Sequence, residues 1–476
     1  MDYYRQYSNR GMHRNVSPFS IETGEWELLV NWDISKIGAL TKRGGYSQIL
    51  NAPDASEVLN IIPFQVGTTR RLIMINAAGK LYSADPVADS TWGAAILTGL
   101  SASARWGWTM LHDSSGTPYM ILGNGLVVYK TTDGVNFSSV SGAPLGKYWA
   151  SLYERVYAAG VPADKDVLHW CSIGDLTNWS AVAPNDSSSL NVDKFALGNI
   201  QGIRMSNDRI VIYKDEGIKR WDEEYLKTVM ASDGLAAPYS LAEIDGMVFS
   251  LDRNAVRLYD GNIPLELTSK NEDVIFGLDF GATNSQRMCG EVFKKKYFLS
   301  VGTITLEDGS TISNGWIVYD YNKNMFWLYS LADQATAMTR FVNTAGAQKL
   351  YFGDTAGKVY EMFASGADQD NLVDIEARAE GHILYPAGPE MFIDPREIIV
   401  AAKFGQQMAA MFRDDYTDNV FTVGSCDAGV TRNVTDALGN NVLGLQVKIA
   451  HATKGTPTFY GFSVGYETEG TKSLVS

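Results

Sequence analysis

Five histidines, His13, His112, His169, His382 and His451, are scattered over the whole chain. A metal-binding set places at least two ligands a few residues apart on one element, so a histidine metal site would need a convergence that no spacing announces. The three cysteines, Cys171, Cys289 and Cys426, lie far apart and form no C-x-x-C pair. That fits neither a disulfide framework nor a zinc site and predicts buried free thiols in a chain folded under reducing conditions. There is no G-x-S-x-G nucleophile elbow, no H-E-x-x-H and no Walker lysine loop. Carboxylates are plentiful, with 54 Asp and Glu. A glycosidase needs two of them held roughly 5 to 10 Å apart, and spacing alone does not establish that. Asp414-Asp415 and Glu307-Asp308-Gly309 read as turns or solvated faces. Lys294 to Lys296 is the one compact basic run. Lying just before the apolar stretch Tyr297 to Val301, it reads as a sheet edge protected by charge, with a phosphate or acidic partner as the functional alternative. The residues therefore predict no catalytic group, no cofactor and no metal, and the expected function is one of structure and interaction.

The elements that would carry any site are strands. A short sentence recurs: about five apolar or β-branched residues, a turn, a second apolar run, then an aromatic residue. Clear copies run from Arg71 to Tyr82, Pro118 to Tyr129, Arg209 to Trp221, Met247 to Tyr259 and Lys349 to Tyr360. Weaker copies join Arg155–Gly160 to Leu168–Cys171, and Trp316–Tyr321 to Met325–Tyr329. Asn, Asp and Gly at the turns tolerate the left-handed backbone that a tight hairpin needs. Copies recur at roughly 40 to 50 residues, the period of four-stranded propeller blades. A single hairpin leaves its apolar face uncovered, so neighbouring blades must cover it. The expected fold class is all-β, a propeller of about six or seven blades. The 24 Tyr, 19 Phe and 11 Trp suit its half-buried pleated surfaces.

Three regions follow from the pattern. Residues 1–50 precede the repeats: an extended arm around Ser17 to Trp26, then edge strands ending at the Gly44-Gly45 turn. Residues 51–370 carry the propeller, with surface loops at Asp85–Ser90 and Val182–Asn191. Residues 371–476 form a C-terminal β domain of sandwich or barrel type, with strands expected near 371–380, 397–404, 442–450 and 458–466. Within the propeller, Thr131 to Phe137 and Ser172 to Ser180 resemble turns in which an Asp caps backbone N–H groups and an aromatic packs beneath. Short helices are conceivable at Asp222–Lys227 and near Phe404–Ala410, the second equally well a strand. The net charge of −14 argues against tight phosphate binding over the surface and suits a soluble chain that nucleic acid passes without sticking. No apolar run reaches the length of a membrane span. Met1 to Arg5 opens polar and aromatic, so no signal peptide is expected.

Asn31 to Tyr46, with its Lys42-Arg43-Gly44-Gly45-Tyr46 turn, resembles the opening of the tail hub proteins of short-tailed bacteriophages, also called nozzle or DNA-stabilisation proteins. Gly202 to Trp221 is similar to a mid-chain blade of the same family. The order of arm, repeats and C-terminal β domain matches too, while Gly44 stands where that family often has Pro. The resemblance implies a structural virion protein, made in the cytoplasm of a host bacterium and built into the phage tail. It would form a ring, a hexamer, that extends the portal-adaptor channel, retains packaged DNA and conducts it during ejection without sequence-specific binding. Its partners would be its own copies, the head-to-tail adaptor, and tail fibre, spike or needle proteins. Trp32, Asp33, Lys42, Arg43 and Tyr46 are the candidate interface residues, expected to dock with the C-terminal domain in a platform that meets the adaptor. Two alternatives remain open from the residues: a carbohydrate-binding or glycoside-active propeller, and another tail-tip or baseplate β protein.

Overall fold

A computed structural model describes residues 2–7, 10–15, 22, 24–36, 39–180, 186–193, 196–384, 393–404, 409–414, 429–436 and 445–468. Each repeated hairpin falls within one blade, giving seven blades: six are second and third strands, and the hairpin of Thr311–Asp320 with Met325–Ser330 is the third and fourth. Blade 1 is built from Val58–Val66, Thr69–Asn76 and Lys80–Ala84, extended by a bridge between Leu81 and Leu97. Blade 2 has Gly107–His112, Pro118–Gly123, Val128–Thr131 and Ser138–Ser139. Blade 3 has Tyr148–Leu152, Arg155–Ala159, Val167–Trp170 and Ser188–Asn191. Blade 4 has Ile200–Ser206, Arg209–Lys214, Gly217–Trp221 and Leu226–Met230. Blade 5 has Ala242–Ile244, Met247–Leu251, Val256–Tyr259 and Leu265–Glu266. All are antiparallel. Each apolar face meets the next blade: Trp106, Met120 and Leu122 of blade 2 join Ile62, Phe64 and Ile73 of blade 1 in one buried cluster.

Blades 6 and 7 depart from this local pattern. Blade 6 comprises Cys289–Phe293, Lys296–Thr305, Thr311–Asp320 and Met325–Ser330. Its sheet continues through Leu28–Val30 into Ala377–Leu384, Leu445–His451 and Ala409–Asp414, making eight strands. Blade 7 comprises Ala335–Val342, Gln348–Asp354 and Val359–Met362. Its outer strand, Tyr46–Leu50, comes from before blade 1 and pairs antiparallel with Val359–Met362, which closes the ring. A further sheet runs Gly429–Asp436, Ile393–Phe404, Thr458–Thr468, Ala39–Lys42 and Trp32–Lys36, with Asp2–Tyr7 also on Thr458–Thr468. Strands from both ends of the sequence thus make one platform. Its core, including Trp26, Trp32, Leu40, Ile449 and Phe459, merges with Phe298, Trp316 and Phe352 of blades 6 and 7.

Several local expectations are corrected. Asp222–Lys227 is not helical: the Asp222 carboxylate takes the Tyr225 N–H at 2.7 Å, and Leu226 opens the outer strand of blade 4. The demand of the blade for a fourth strand overrides helix propensity. Ser188–Asn191 is strand rather than loop for the same reason, while residues 181–185 lie outside the described set. Near Phe404–Ala410 the strands Ile393–Phe404 and Ala409–Asp414 flank residues outside it. Lys294 to Lys296 is not a sheet edge. Lys294 and Lys295, at φ 49° and 65°, form the tight turn of a hairpin. Two short helices, Glu272–Phe276 and Ala282–Arg287, join blades 5 and 6. Cys171 and Cys289 are buried free thiols; Cys426 and Asp415 lie outside the described residues.

Candidate functional site

The Lys42 to Tyr46 segment lies where the platform meets blades 6 and 7. Gly45 permits this, because a Cβ there would sit 1.9 Å from the Gln369 carbonyl oxygen. Arg43, fully buried, reaches both oxygens of Asp370, at 2.7 and 2.5 Å. It also donates to the Asn31 side chain at 2.7 Å and the Ser330 carbonyl at 2.9 Å, and its guanidinium lies 5.3 Å from the centre of the Tyr329 ring. A bidentate pair with every remaining donor engaged is the arrangement in which a buried ion pair is tolerated. Asp33 accepts from Lys296 at 2.6 Å and from the Tyr329 hydroxyl at 2.7 Å. The Tyr46 hydroxyl donates to the Asp333 carboxylate at 2.8 Å and accepts the Asp333 N–H at 2.9 Å. Lys42 donates to the Thr453 carbonyl at 2.5 Å and stands 3.3 Å from His451 Nδ1. Burial, seconded by the Lys42 charge, pushes the His451 pKa down to about 4, which keeps the ring neutral as an acceptor. Burial likewise lowers His382, on the neighbouring strand, to about 4. Trp32 is fully buried in the platform core.

The five sequence-derived residues are therefore brought together, but in a joint inside the chain. Trp32, Lys42, Arg43 and Tyr46 are buried and Asp33 is half-buried, so an outside protein would meet the platform they hold in place rather than their side chains. Sequence reasoning missed their partners Asn31, Asp333, Asp370 and His451. The one available signal was general: a buried arginine requires a carboxylate, without saying which.

A second site lies on the propeller axis. All seven innermost strands line a cavity of about 330 Å³. Its wall holds Arg105, Arg204 and Arg340, the carboxylates of Glu243 and Glu291, and Tyr148 and Tyr239. Arg105 donates to the Leu59 and Thr336 carbonyls at 2.8 and 2.6 Å and stacks 5.1 Å from the Tyr239 ring centre. Glu291 accepts the N–H groups of Val292 and Arg340, at 2.9 and 3.0 Å, yet burial raises its pKa. The Asp-capped turns expected from the sequence are present on the outer rim. Asp133 takes the N–H groups of Val135 and Asn136, at 2.9 and 2.7 Å. Although burial works the other way, these bonds hold its pKa down to about 2. Among the described residues, no group of three or more His, Cys, Asp or Glu is placed to hold a metal, and no helix is long and apolar enough to cross a membrane.

No family model and no curated protein matches the chain. Among solved structures, BBS1N in complex with ARL6DN aligns at 10% identity and a TM-score of 0.43, over 68% of this chain and 99% of that one. YCF48 bound to D1 peptide aligns at 8% and 0.39, over 70% and 95%. Both are β-propeller proteins. Raptor of Chaetomium thermophilum aligns at 10% and 0.44, over 67% of this chain and 30% of that one.

Proposed function

We propose that this chain is a tail hub, or nozzle, subunit of a short-tailed bacteriophage: a structural virion protein that assembles as a ring below the portal and adaptor, retains packaged DNA and conducts it during ejection. The observation that carries the reading is the interleaving of strands from both chain ends, Leu28–Val30, Trp32–Lys36 and Ala39–Lys42 with Ala377–Leu384, Leu445–His451 and Thr458–Thr468, into a platform fastened to blades 6 and 7. That arrangement suits a part that transmits load. Pulling on the platform acts on a closed ring through continuous sheets and the Arg43–Asp370 pair, not through a hinge. A ring of identical copies needs heterologous contacts that close, and exposed apolar residues, among them Tyr225, Ile263, Leu265 and Phe276 on blades 4 and 5 and the helix after them, could supply such contacts. The net charge of −14 suits a conduit that repels DNA phosphates. The glycan-active alternative gains nothing from the axial cavity, whose two carboxylates are engaged by backbone N–H groups and share the wall with three arginines.

The test is DNA retention. Particles assembled without the chain should lose their genome to nuclease, and adding the purified chain to freshly filled heads should restore protection. Restoration by the wild-type chain supports the hub reading; particles that hold their DNA equally well without the chain overturn it.

A further inference from the structure

We infer that the propeller axis is a binding site for a small oxyanion of phosphate type, held by the guanidinium groups of Arg204 and Arg340. This stands apart from the hub reading and would hold for any protein with this axis.

The axis gathers positive charge in a confined space, with no anion among the described residues in contact with the guanidinium of Arg204 or Arg340. Three arginines face one cavity in a chain whose overall charge is −14. The Arg340 guanidinium makes no hydrogen bond to any described residue, while its backbone N–H donates to Glu291. Arg204 donates to two neutral carbonyls, of Ile203 at 3.0 Å and Leu241 at 3.3 Å. Arg105 is 3% exposed at its side chain, and Glu57, the nearest carboxylate in contact range, stands 3.8 Å away. That carboxylate is already held by Arg287 at 3.0 and 2.7 Å, and Arg105 Nη2 is left with no hydrogen-bond partner. Of the two carboxylates in the wall, neither forms an ion pair with Arg204 or Arg340. Burial also favours the neutral acid at Glu291.

Arg204 and Arg340 are half-buried at the cavity wall, while Arg105 is buried. Positive charge drawn partly out of water without a contacting anion is costly, and a planar guanidinium is matched to oxyanions by its paired donors. The cavity volume of about 330 Å³ admits an anion the size of phosphate together with several waters, at roughly 30 Å³ each. Thr109 and Ser151, whose hydroxyls lie 3.1 Å apart, and the Tyr239 hydroxyl supply further donors along the same wall. Arg105 and Tyr239, stacked together, form part of that wall and contribute field rather than contact.

Calorimetric titration of the full chain with sodium phosphate, at an ionic strength held constant with sodium chloride, tests the proposal. The expected result is saturable binding of one phosphate per chain, weakened by about tenfold or more in Arg340→Gln. Arg340→Lys, which keeps the charge and loses the planar fork, should fall between the two. Arg253→Gln, at an exposed position on blade 5, should bind like wild type. Should Arg340→Gln fail to fold, Arg204→Gln carries the same expectation. Citrate in place of phosphate separates a carboxylate ligand from a phosphate one: comparable binding would widen the class to oxyanions in general. No saturable binding, binding that chloride displaces at matched ionic strength, or equal affinity in a folded Arg340→Gln would overturn the proposal.

Discussion

Blades 2 to 5 and the joint of the platform with blades 6 and 7 solve the same problem in opposite ways. Each of blades 2 to 5 is one continuous stretch of chain whose strands pair with their immediate neighbours. The joint pairs segments from the far ends: Arg43 and Asp370 are 327 positions apart. The local blades are held by apolar faces and by turn chemistry. The joint adds charged groups taken out of water, where loss of one partner strands the other. A ring of local blades thus tolerates change at many places, whereas the joint concentrates its sensitivity in a few polar side chains.

Acid should separate the two regions most. His382 and His451 are both buried in the platform, with pKa values near 4. An unfolded histidine titrates near 6.5. Below that pH the unfolded state takes up protons that the folded state refuses, so this contribution to stability is full above pH 6.5 and is lost as the pH falls toward 4. The pair should cost on the order of 5 kcal/mol by pH 4.5. Hydrogen exchange should therefore show protection dropping in Ala377–Leu384 and Leu445–His451 between pH 7 and pH 4.5, while blades 4 and 5, which contain no histidine, keep theirs. Equal losses in both regions would remove the distinction.

Asp370→Ala comes next. It leaves Arg43 buried without its carboxylate and should destabilise by about 3 to 5 kcal/mol, read as an early denaturation transition confined to the platform and blades 6 and 7. Arg43→Met combined with Asp370→Leu removes both charges and should recover most of that loss. The smallest effect belongs to the rim. Asp133→Ala removes one turn cap from blade 2 and should cost about 1 kcal/mol, as a small fall in melting temperature with the platform unaffected. A loss as large as that of Asp370→Ala would erase the contrast between region types.

The same contrast governs what could be read from the sequence. The seven hairpins were legible because alternation and turn residues are decided within about a dozen positions; six are second and third strands, and that of blade 6 is the third and fourth. The outer strands Ser188–Asn191 and Leu226–Met230 were not: the first is short and polar, the second mixes Lys227 and Thr228 with apolar residues, and both are stabilised by the blade they complete. Strands near 397–404 and 458–466 were visible as strands, but their pairing was not: register is set by the partner, and a one-residue slip turns every side chain over. Tyr46–Leu50 looked like the end of an arm because nothing within it names Val359–Met362 as its partner. That pairing also bears on truncation. Removing residues 1–46 takes away Trp26, Trp32 and Arg43 from the joint and Tyr46 from the closing strand of blade 7, so the remaining propeller should be destabilised rather than left intact. At the candidate site, the motif from Lys42 to Tyr46 was visible through family resemblance, while Asp370 and His451 carry no local mark. The axial arginines went unread because Arg105, Arg204 and Arg340 stand singly in three separate blades.

Immunoelectron microscopy, with an antibody raised against this chain, of particles from cells that produce it tests the hub reading most directly. Label at the single tail vertex, at about six copies per particle as a closed ring of identical subunits requires, is the expected result. Label elsewhere on the particle, or no labelled particle at all, would contradict it.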